Sequence, residues 1–325
     1  MMSLLDEIKA PIRRELSEFE PFFRKSLTSD VPLLGTILNY MYRTKGKQVR
    51  PMFVFLSAAM LGQTNELTQV AACSVELLHS ATLVHDDVVD ESYERRGVFS
   101  VNALWRNKLA VLVGDYILAQ GLLLQLEYKQ CRFLNLISRA VQEMAEGEIL
   151  QIKKSRKLDI DTETYFNIIR KKTASLIATS LAIGAASVTS DETVIEKMYL
   201  IGQDAGIAFQ IKDDIFDYQE KGIIGKPTGN DIKEKKITLP LLYLLNNSSP
   251  AERLRILRLV KRKNENRDAV RELVGMVVRQ GGIDYATQQM NLFREKAISA
   301  IVEFPENEAR TSLISLMNYI TERIK

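Results

Sequence analysis

Three aspartates that could bind a metal ion stand at positions 86, 87 and 90 of the chain. On a helix, Asp86 and Asp90 lie one turn apart on the same face, with Asp87 beside them. Three carboxylates this close repel one another, and a divalent cation would keep them ionised. Oxygen ligands favour a hard ion such as Mg²⁺, which is usually held together with phosphate. Arg95 and Arg96 follow, and guanidinium groups beside acidic metal ligands suit a metal-bound phosphate group.

The same spacing recurs at Asp213, Asp214 and Asp217, again directly after an apolar segment with helical periodicity. One such cluster alone would be interpreted as a solvated, acidic helix end. Because the pattern occurs twice, we expect two acidic helices that face each other and hold metal ions between them.

The composition indicates an all-α protein. The 325 residues include only 16 glycines and 8 prolines, and apolar residues recur at three- and four-residue spacing almost throughout. Residues 1–325 are expected to form a single domain, because no linker is long or biased enough to divide them. The net charge of +3 gives no indication of nucleic-acid binding.

The chain shows neither a signal peptide nor a transmembrane segment by its sequence pattern. The first residues lack a basic segment followed by a long apolar one. The best apolar run, residues 109–126, is interrupted by Asp115 and Gln120. Cys73 and Cys131 lie in apolar helical patterns, which predicts buried thiols in a reducing compartment. We therefore expect a soluble, cytoplasmic protein, which disfavours the membrane prenyltransferases with aspartate-rich motifs.

Long helices are expected to position both aspartate clusters. Asn65 should cap a helix over residues 66–90, and a second helix should span residues 192–217. Residues 219–235 are polar and contain glycine, which favours a mobile flap after the second cluster.

Breaks between helices are predicted at three places. Pro21 should interrupt the first helical region. Residues 153–157 should form a basic loop, and Asp161 or Thr162 should cap the helix that follows. Ser249 and Glu252 form a capping-box pattern at the start of a later helix.

Together with other motifs, the two clusters resemble the trans-polyprenyl diphosphate synthases. The resemblance extends from about Lys45 to Pro240, and the motifs occur in the family's order. The motifs outside the two clusters are Lys45-Gly-Lys-Gln-Val-Arg-Pro51, Gly225-Lys-Pro-Thr-Gly-Asn-Asp231 and Lys236-Ile-Thr-Leu-Pro240. The spacing of the first cluster is similar to that of long-chain and geranylgeranyl-type bacterial enzymes. The family's usual Gly-Gly-Lys-Arg-x-Arg-Pro is changed at Lys45 and Gln48, whereas the expected phosphate contacts Lys47 and Arg50 remain.

This resemblance implies an isoprenoid-synthase fold, a helical bundle around a central cavity. It also implies a Mg²⁺-dependent prenyltransferase that joins isopentenyl diphosphate to an allylic primer such as farnesyl or geranylgeranyl diphosphate. The expected product is a long all-trans polyprenyl diphosphate, for example for a quinone side chain. Similar enzymes are homodimers, and so apolar a product suggests transient membrane contact during release.

The resemblance also implies a role for individual residues. The expected metal ligands or near-ligands are Asp86, Asp87, Asp90, Asp213, Asp214 and Asp217, with Asp87 and Asp214 as candidates for a supporting position. The positions expected to hold isopentenyl diphosphate are Lys47, Arg50, His79 and Arg96. Those expected at the allylic diphosphate are Arg95, Lys172, Lys226 and Lys236, and those expected near the reacting carbons are Thr173 and Gln210. The principal catalytic residues would be Asp86, Asp90, Asp213, Lys172, Gln210 and Lys226.

Product length is predicted from the residues below the first cluster. Ala81 and Thr82 lie one turn before Asp86, and Leu78 lies one turn further back. In similar enzymes a bulky aromatic residue one turn before the cluster closes the cavity floor and stops elongation. Alanine and threonine leave room there, which favours a product of hexaprenyl length or longer.

Other functions remain to be weighed against this one. A short-chain synthase and a non-catalytic subunit of a heteromeric synthase are left open, although intact aspartates in both clusters disfavour the latter. A di-iron helical bundle would need two Glu-x-x-His pairs. The chain has one, at Glu76 and His79, and its only other histidine is His85. A terpene cyclase would carry an asparagine-serine-glutamate triad in place of the second cluster.

Overall fold

The protein is helical almost throughout in the structure, a computed structural model that describes residues 3–95, 97–218, 230–262 and 266–322. The helices in chain order are α1 (Leu4–Lys9), α2 (Arg13–Ser26), α3 (Pro32–Arg43), α4 (Val49–Leu61), α5 (Glu66–Val89), α6 (Val101–Glu127), α7 (Cys131–Lys157), α8 (Thr162–Ile169), α9 (Ser175–Ala186), α10 (Glu192–Phe216), α11 (Asn230–Lys233), α12 (Leu239–Asn246), α13 (Pro250–Arg262), α14 (Arg267–Arg279), α15 (Gly282–Val302) and α16 (Glu308–Glu322). The strands β1 (Glu94–Arg95) and β2 (Val98–Phe99) form a short antiparallel hairpin. The predicted all-α class is confirmed.

Two compact units can be distinguished by Cα packing. The first comprises Met1–Val141, Leu176–Gly202 and Val302–Leu316, and the second comprises Gln142–Ser175, Gln203–Ile301 and Met317–Lys325. The first aspartate cluster belongs to the first unit, and the second cluster belongs to the second. That residues 1–325 act as one synthase domain stays a prediction.

Helix α5 carries the first cluster, and its sequence explains both its start and its burial. The Asn65 side chain accepts hydrogen bonds from the backbone N–H groups of Leu67 (2.8 Å) and Thr68 (3.2 Å). The Asn65 backbone N–H in turn donates to Thr68 Oγ1 at 3.2 Å, so the predicted cap is confirmed. Most side chains from Val70 to Ala81 are buried. Burial of these apolar groups, at about 25 cal/mol per Å², fixes the helix in the core of the first unit.

Helix α8 and the end of α10 belong to an apolar core in the second unit. Residues of α8, α10, α12 and α14 share this core, including Ile168, Ile211, Leu242 and Leu273. Asp161 caps α8 by accepting a hydrogen bond from the Thr164 N–H at 2.7 Å, as the sequence predicts. A π-helical turn, Arg170–Ala174, connects α8 to α9.

The predicted break at Pro21 is wrong, because α2 continues through this proline. An internal proline removes one backbone hydrogen bond at a cost of about 3 kcal/mol. Phe19 and Phe23 on either side are fully buried, and their burial outweighs that loss.

The predicted basic loop over residues 153–157 is also wrong, since these residues form the last turns of α7. Lysine and arginine near a helix C-terminus interact favourably with its partial negative charge. The helix ends at Lys157, and the residue that follows, Leu158, has a left-handed φ of 55°.

The two cysteines differ in burial. Cys73 is fully buried on α5, as predicted, and burial raises the pKa of its thiol to about 12. Cys131 is exposed at the first turn of α7, so the prediction of two buried thiols is wrong for this residue. The apolar periodicity around Cys131 does not determine which side of the first turn faces water.

Two described helices, α5 and α6, are long and apolar enough to cross a membrane by length and composition. The sequence pattern led us to expect none, because Asp115 and Gln120 interrupt the apolar run of α6. This observation is weak, since core helices of soluble proteins meet the same criterion. In α5, 72% of the apolar window is buried inside the protein, whereas in α6 the value is 33%.

Candidate active site

The first aspartate cluster lies at the end of α5 and presents its three carboxylates differently. Asp87 is only 3% exposed, and its Oδ1 atom accepts hydrogen bonds from Arg95 Nε (2.9 Å) and Nη2 (2.7 Å). Asp86 is partly buried, and Asp90, the C-cap of the helix, is exposed. The middle carboxylate is therefore held in an ion pair, while the outer two lie nearer the surface.

The β1–β2 hairpin brings Arg95 to Asp87. Gly97 forms the turn with a φ of 78°, a left-handed conformation that favours glycine. Asn102 on α6 donates from Nδ2 to the Asp87 backbone carbonyl at 3.0 Å, which ties the end of α5 to the following helix. Arg96, a predicted ligand of isopentenyl diphosphate, lies outside the described residues.

Arg50 and His79, two predicted contacts of isopentenyl diphosphate, are brought together. Arg50 Nη1 lies 2.9 Å from His79 Nε2. A guanidinium group can only donate, so Nε2 is the acceptor and the ring proton is on Nδ1. Lys47 lies on the exposed side of the same segment, where it lines a recess with residues of α1 and α2.

The residues predicted to set product length lie on the buried part of α5. Ala81 is 1% exposed and Leu78 is 2% exposed. Thr82 is partly buried, and its hydroxyl donates to the His79 carbonyl at 2.9 Å. None of the three carries an aromatic ring, and their role in setting product length stays a prediction.

The second cluster at the end of α10 repeats the arrangement of the first. Asp214 is 3% exposed, whereas Asp213 and Asp217 are partly buried. The Tyr165 hydroxyl donates to Asp214 Oδ2 at 2.6 Å, and Gln210 Nε2 donates to Oδ1 at 2.9 Å. Again the middle carboxylate is fixed by neutral or positive donors while the outer two lie nearer the surface.

Two predicted residues near the reacting carbons form one hydrogen-bond chain with Asp214. Thr173 Oγ1 donates to Gln210 Oε1 at 2.7 Å. The Gln210 amide then donates to Asp214, which fixes the amide orientation. Thr173 lies in the π-helical turn, and such turns occur frequently at functional sites.

The π-helical turn also positions Lys172, which forms an ion pair with Glu148 on α7. Helix α7 approaches the turn closely at Gly147. A Cβ atom at this position would lie 2.7 Å from the Lys172 backbone nitrogen and 2.9 Å from Lys171 Cβ. Only glycine permits this distance, so Gly147 determines where the Lys172 backbone lies.

Five predicted residues of the second unit line a single cavity of about 110 Å³. They are Lys172, Thr173, Gln210, Asp214 and Lys236, and Asp231 and Thr238 also contribute. Lys236 forms an ion pair with Glu234, and the Asp231 N–H donates to Asp217 Oδ2 at 3.0 Å. Lys226 and most of the predicted flap, residues 219–229, lie outside the described residues.

Burial dominates the electrostatics of this cavity. It raises the pKa of Asp214 to about 6, although the hydrogen bonds from Tyr165 and Gln210 act in the opposite direction. It also raises the pKa of Asp231, with the Asp214 carboxylate contributing. Burial likewise raises the pKa of Tyr165 well above its usual value, so this hydroxyl stays protonated as a donor to Asp214.

The arrangement of carboxylates fits a metal that is completed by its substrate. Within the described ranges, no three His, Cys, Asp or Glu side chains form a ready metal cage. Mg²⁺ commonly binds through one or two carboxylates and fills its other positions with water and phosphate oxygens. Each cluster offers two outer carboxylates one helical turn apart, namely Asp86 with Asp90 and Asp213 with Asp217, which suits that mode.

Four residues that contact this machinery received no role from the sequence. Tyr165 and Asn102 were indistinguishable from ordinary helix residues, because their partners are distant in the chain. Glu148 lies among several acidic residues on α7. Asp231 belongs to a motif that the sequence analysis recognised, so it is the residue of these four whose role could have been predicted from the sequence.

Comparison with known proteins identifies the family. Residues 31–277 match the family model described as polyprenyl synthetase. The all-trans-nonaprenyl-diphosphate synthase (geranyl-diphosphate specific) of Rhodobacter capsulatus is 33% identical over 98% of both chains. A decaprenyl diphosphate synthase structure from the same organism superposes with a TM-score of 0.93 at 30% identity over 99% of both chains. A geranylgeranyl pyrophosphate synthase structure from Bacteroides thetaiotaomicron superposes with a TM-score of 0.85 at 35% identity, and the match covers 99% of this chain and 100% of the other. The chain therefore belongs to the polyprenyl synthetase family.

Proposed function

We propose that the protein elongates an allylic diphosphate with isopentenyl diphosphate to a long all-trans polyprenyl diphosphate. The observation that carries this proposal is the matching state of the two aspartate clusters. In each, the middle carboxylate is buried and fixed by donors, and the outer two lie nearer the surface, one helical turn apart. Such pairs suit metal ions that are shared with a diphosphate.

The outer aspartates Asp86, Asp90, Asp213 and Asp217 would hold Mg²⁺. When bound, Mg²⁺ neutralises the diphosphate leaving group of the allylic substrate. Asp87 and Asp214 keep the helix ends in position through Arg95 and Tyr165, respectively.

Cationic and polar side chains of the second unit would bind the allylic substrate. Lys172 and Lys236 provide positive charge in the cavity, where leaving-group charge is stabilised most strongly because water is scarce. We assign Lys226 the same role. Gln210 and Thr173 present oriented dipoles next to the reacting carbons, since their hydrogen bond is already formed.

Isopentenyl diphosphate is assigned to the first unit. Arg50 and Lys47 would bind its phosphates together with Arg96. His79 positions Arg50 by accepting its hydrogen bond at 2.9 Å. Arg95 contributes to allylic diphosphate binding through the Nη1 group that Asp87 does not engage.

The product is assigned a length of hexaprenyl or longer, suited to a quinone side chain. Ala81 and Thr82 support this assignment, because neither fills the space one turn below Asp86 as an aromatic ring would. Relatives named for nonaprenyl and decaprenyl products agree with it, whereas the geranylgeranyl synthase similarity keeps a shorter product as the alternative. Farnesyl or geranylgeranyl diphosphate would serve as primer in the cytoplasm, with transient membrane contact during release.

A homodimer is supported by the surface of α6. The most apolar 18-residue window of this helix has a mean hydropathy of 1.7, and the helix exposes Leu112 (56%) and Leu123 (58%). Exposed apolar side chains that cluster on one face mark an interaction site. Light scattering should show a dimer that dissociates in a Leu112→Glu, Leu123→Glu variant. The matched control Leu254→Glu, on an exposed leucine of α13 (54%), should leave the mass unchanged.

The proposed reaction is tested by incorporation of labelled isopentenyl diphosphate into acid-labile product with Mg²⁺ and farnesyl diphosphate. Wild-type protein should incorporate label. Asp86→Asn and Asp213→Asn should lose about 10²-fold or more, because each removes charge stabilisation of the leaving group. Asp30→Asn, at an exposed position just before α3, is the control. If purified wild-type protein incorporates no label under these conditions, it is not an independent synthase. The result would then favour a subunit of a heteromeric synthase that requires a partner.

A further inference from the structure

Helices α13 and α14 carry an excess of positive charge that the proposed reaction does not use. Residues 250–279, which include both helices, contain nine lysines and arginines against four aspartates and glutamates, a net charge of +5. The whole chain has a net charge of only +3. Such a concentration of one sign in a single segment indicates a partner of the opposite sign.

The inner faces of both helices determine which side of them faces solvent. Ile256 on α13 and Leu273 on α14 are fully buried in the apolar core that also contains Ile211 of α10. Burial of these apolar groups holds each helix in one orientation. The opposite faces of α13 and α14, which carry the charged residues, therefore point away from the core.

The exposed face of α13 combines cations with a leucine. Leu254, Arg258 and Lys261 are all exposed and follow one another at four- and three-residue spacing, which places them along one face. Leu254 is 54% exposed. The one acid in the α13 sequence, Glu252, accepts a hydrogen bond from the Ser249 hydroxyl at 2.8 Å in the cap of the helix. The described side chains along this face are therefore basic or apolar.

Helix α14 extends the same surface. Arg267 and Arg271 are exposed and lie one turn apart. Arg255 of α13 forms an ion pair with Glu272 of α14, which joins the two exposed faces. The other acid of α14, Asp268, is 92% exposed and lies 3.7 Å from Arg271, so water screens its charge.

We refer to the exposed cations and the leucine of these faces as the basic surface. Its members are Leu254, Arg255, Arg258, Lys261, Arg267 and Arg271.

An anionic lipid surface fits the basic surface better than other anionic partners do. Clusters of about four to eight lysines and arginines on an amphipathic helix attract anionic lipid head groups, and a leucine among them reaches the boundary of the acyl chains. Single-stranded nucleic acid is disfavoured, because residues 250–279 contain no aromatic residue on which bases could stack. A second copy of the chain would place like charges opposite each other.

We propose that the basic surface docks the protein on a membrane that contains anionic lipid. The purpose of docking rests on the proposed function, because a long prenyl chain that passes directly into a bilayer is not exposed to water. Docking itself requires no turnover, so vesicle binding and the incorporation of isopentenyl diphosphate can fail separately.

Co-sedimentation with phosphatidylcholine vesicles that contain about 30% phosphatidylglycerol, at about 100 mM salt, tests the proposal. Wild-type protein should bind these vesicles, should not bind pure phosphatidylcholine vesicles, and should be released at about 500 mM salt, where exposed charges are screened. A variant with Arg258→Gln, Lys261→Gln and Arg271→Gln should bind about 10²-fold more weakly, because each cation near an anionic membrane contributes roughly fivefold in affinity.

The matched control makes the same change in net charge elsewhere. Arg14→Gln, Lys25→Gln and Arg139→Gln remove three exposed cations of the first unit, and this variant should bind like wild type. An equal loss in both triple variants would show that net charge alone drives binding. That result would overturn the proposal, and so would unchanged affinity in the α13–α14 variant or equal binding of wild type to pure phosphatidylcholine.

A single substitution separates a lipid surface from a soluble polyanion. Leu254→Asn should bind the anionic vesicles about tenfold more weakly, because the leucine contacts the acyl boundary. Its retention on heparin and its unfolding temperature should match those of wild type, since Leu254 is exposed. Unchanged vesicle affinity in this variant, or binding of single-stranded RNA that anionic vesicles do not displace, would overturn the assignment to a lipid surface. Wild-type protein that binds the vesicles but incorporates no label would support docking and contradict the proposed function alone.

Discussion

Replacing Gly147 by alanine should slow catalysis much more than it destabilises the protein. Gly147 lies where α7 touches the π-helical turn that carries Lys172 and Thr173. The added Cβ would lie 2.7 Å from the Lys172 backbone nitrogen and 3.2 Å from the Lys171 carbonyl carbon. Both atoms are backbone, so the contact cannot be relieved by rotating a side chain.

The magnitude follows from these distances. Ordinary contact needs roughly 3.5 Å, so the turn must move by about 0.8 Å. Overpacking costs about 1–3 kcal/mol, and alanine returns about 1 kcal/mol of helix propensity, which leaves a net loss of about 0–2 kcal/mol. A displacement of about 1 Å at a positioning group can reduce the rate about 10²-fold.

Gly275→Ala is the matched control. This glycine lies in α14, where the new Cβ would meet only the flexible end of Arg279, at 3.1 Å. The variant should be stabilised by up to about 1 kcal/mol through helix propensity, with unchanged activity. Urea unfolding gives the stability of each variant, and the initial rate of isopentenyl incorporation gives the activity. Full activity in Gly147→Ala with a raised unfolding midpoint would refute the reasoning.

Three further predictions concern other parts of the chain. The exposed Cys131 should react rapidly with a disulfide reagent in native protein. Cys73 should react only after unfolding, because Cys73 is buried and burial raises the pKa of its thiol to about 12. Rapid reaction of two thiols in native protein would contradict this prediction. Burial raises the pKa of Asp204, so its stability contribution is present below the unfolded value of 3.8 and is lost as the pH rises through the folded value. The melting temperature of Asp204→Asn relative to wild type should therefore increase from about pH 4 to about pH 7, and a flat difference would argue against it. Ala81→Phe should shorten the product, whereas Thr82→Ala should leave it long, as resolved by chromatography; an identical ladder in both would remove Ala81 from the chain-length floor.

Local signals in the sequence were sufficient for the helices that carry the clusters. The Asn65 cap and the apolar spacing predicted α5 to within one residue of its observed end. At Pro21 the same rules failed, because the burial of Phe19 and Phe23 depends on tertiary packing that lies outside any local window.

Prediction of the site had a similar limit. The spacing of the two clusters indicated six aspartates, and the family resemblance suggested a supporting position for Asp87 and Asp214. The structure adds the physical distinction, because these two carboxylates are buried and the other four are not. Their partners Arg95 and Tyr165 lie 8 and 49 residues away. Asp87 and Arg95 belong to one recognisable stretch of sequence. The contact between Asp214 and Tyr165 depends instead on how α8 packs against the end of α10.

The most direct test of the proposed function is the chain length that wild-type protein makes. Purified protein would be incubated with farnesyl diphosphate, labelled isopentenyl diphosphate and Mg²⁺, and the dephosphorylated products separated by length. A ladder that ends at one product of hexaprenyl length or longer is the predicted result. A product that stops at geranylgeranyl length would keep the reaction and contradict the assignment of Ala81 and Thr82, and the absence of any elongation would contradict the proposed synthase itself.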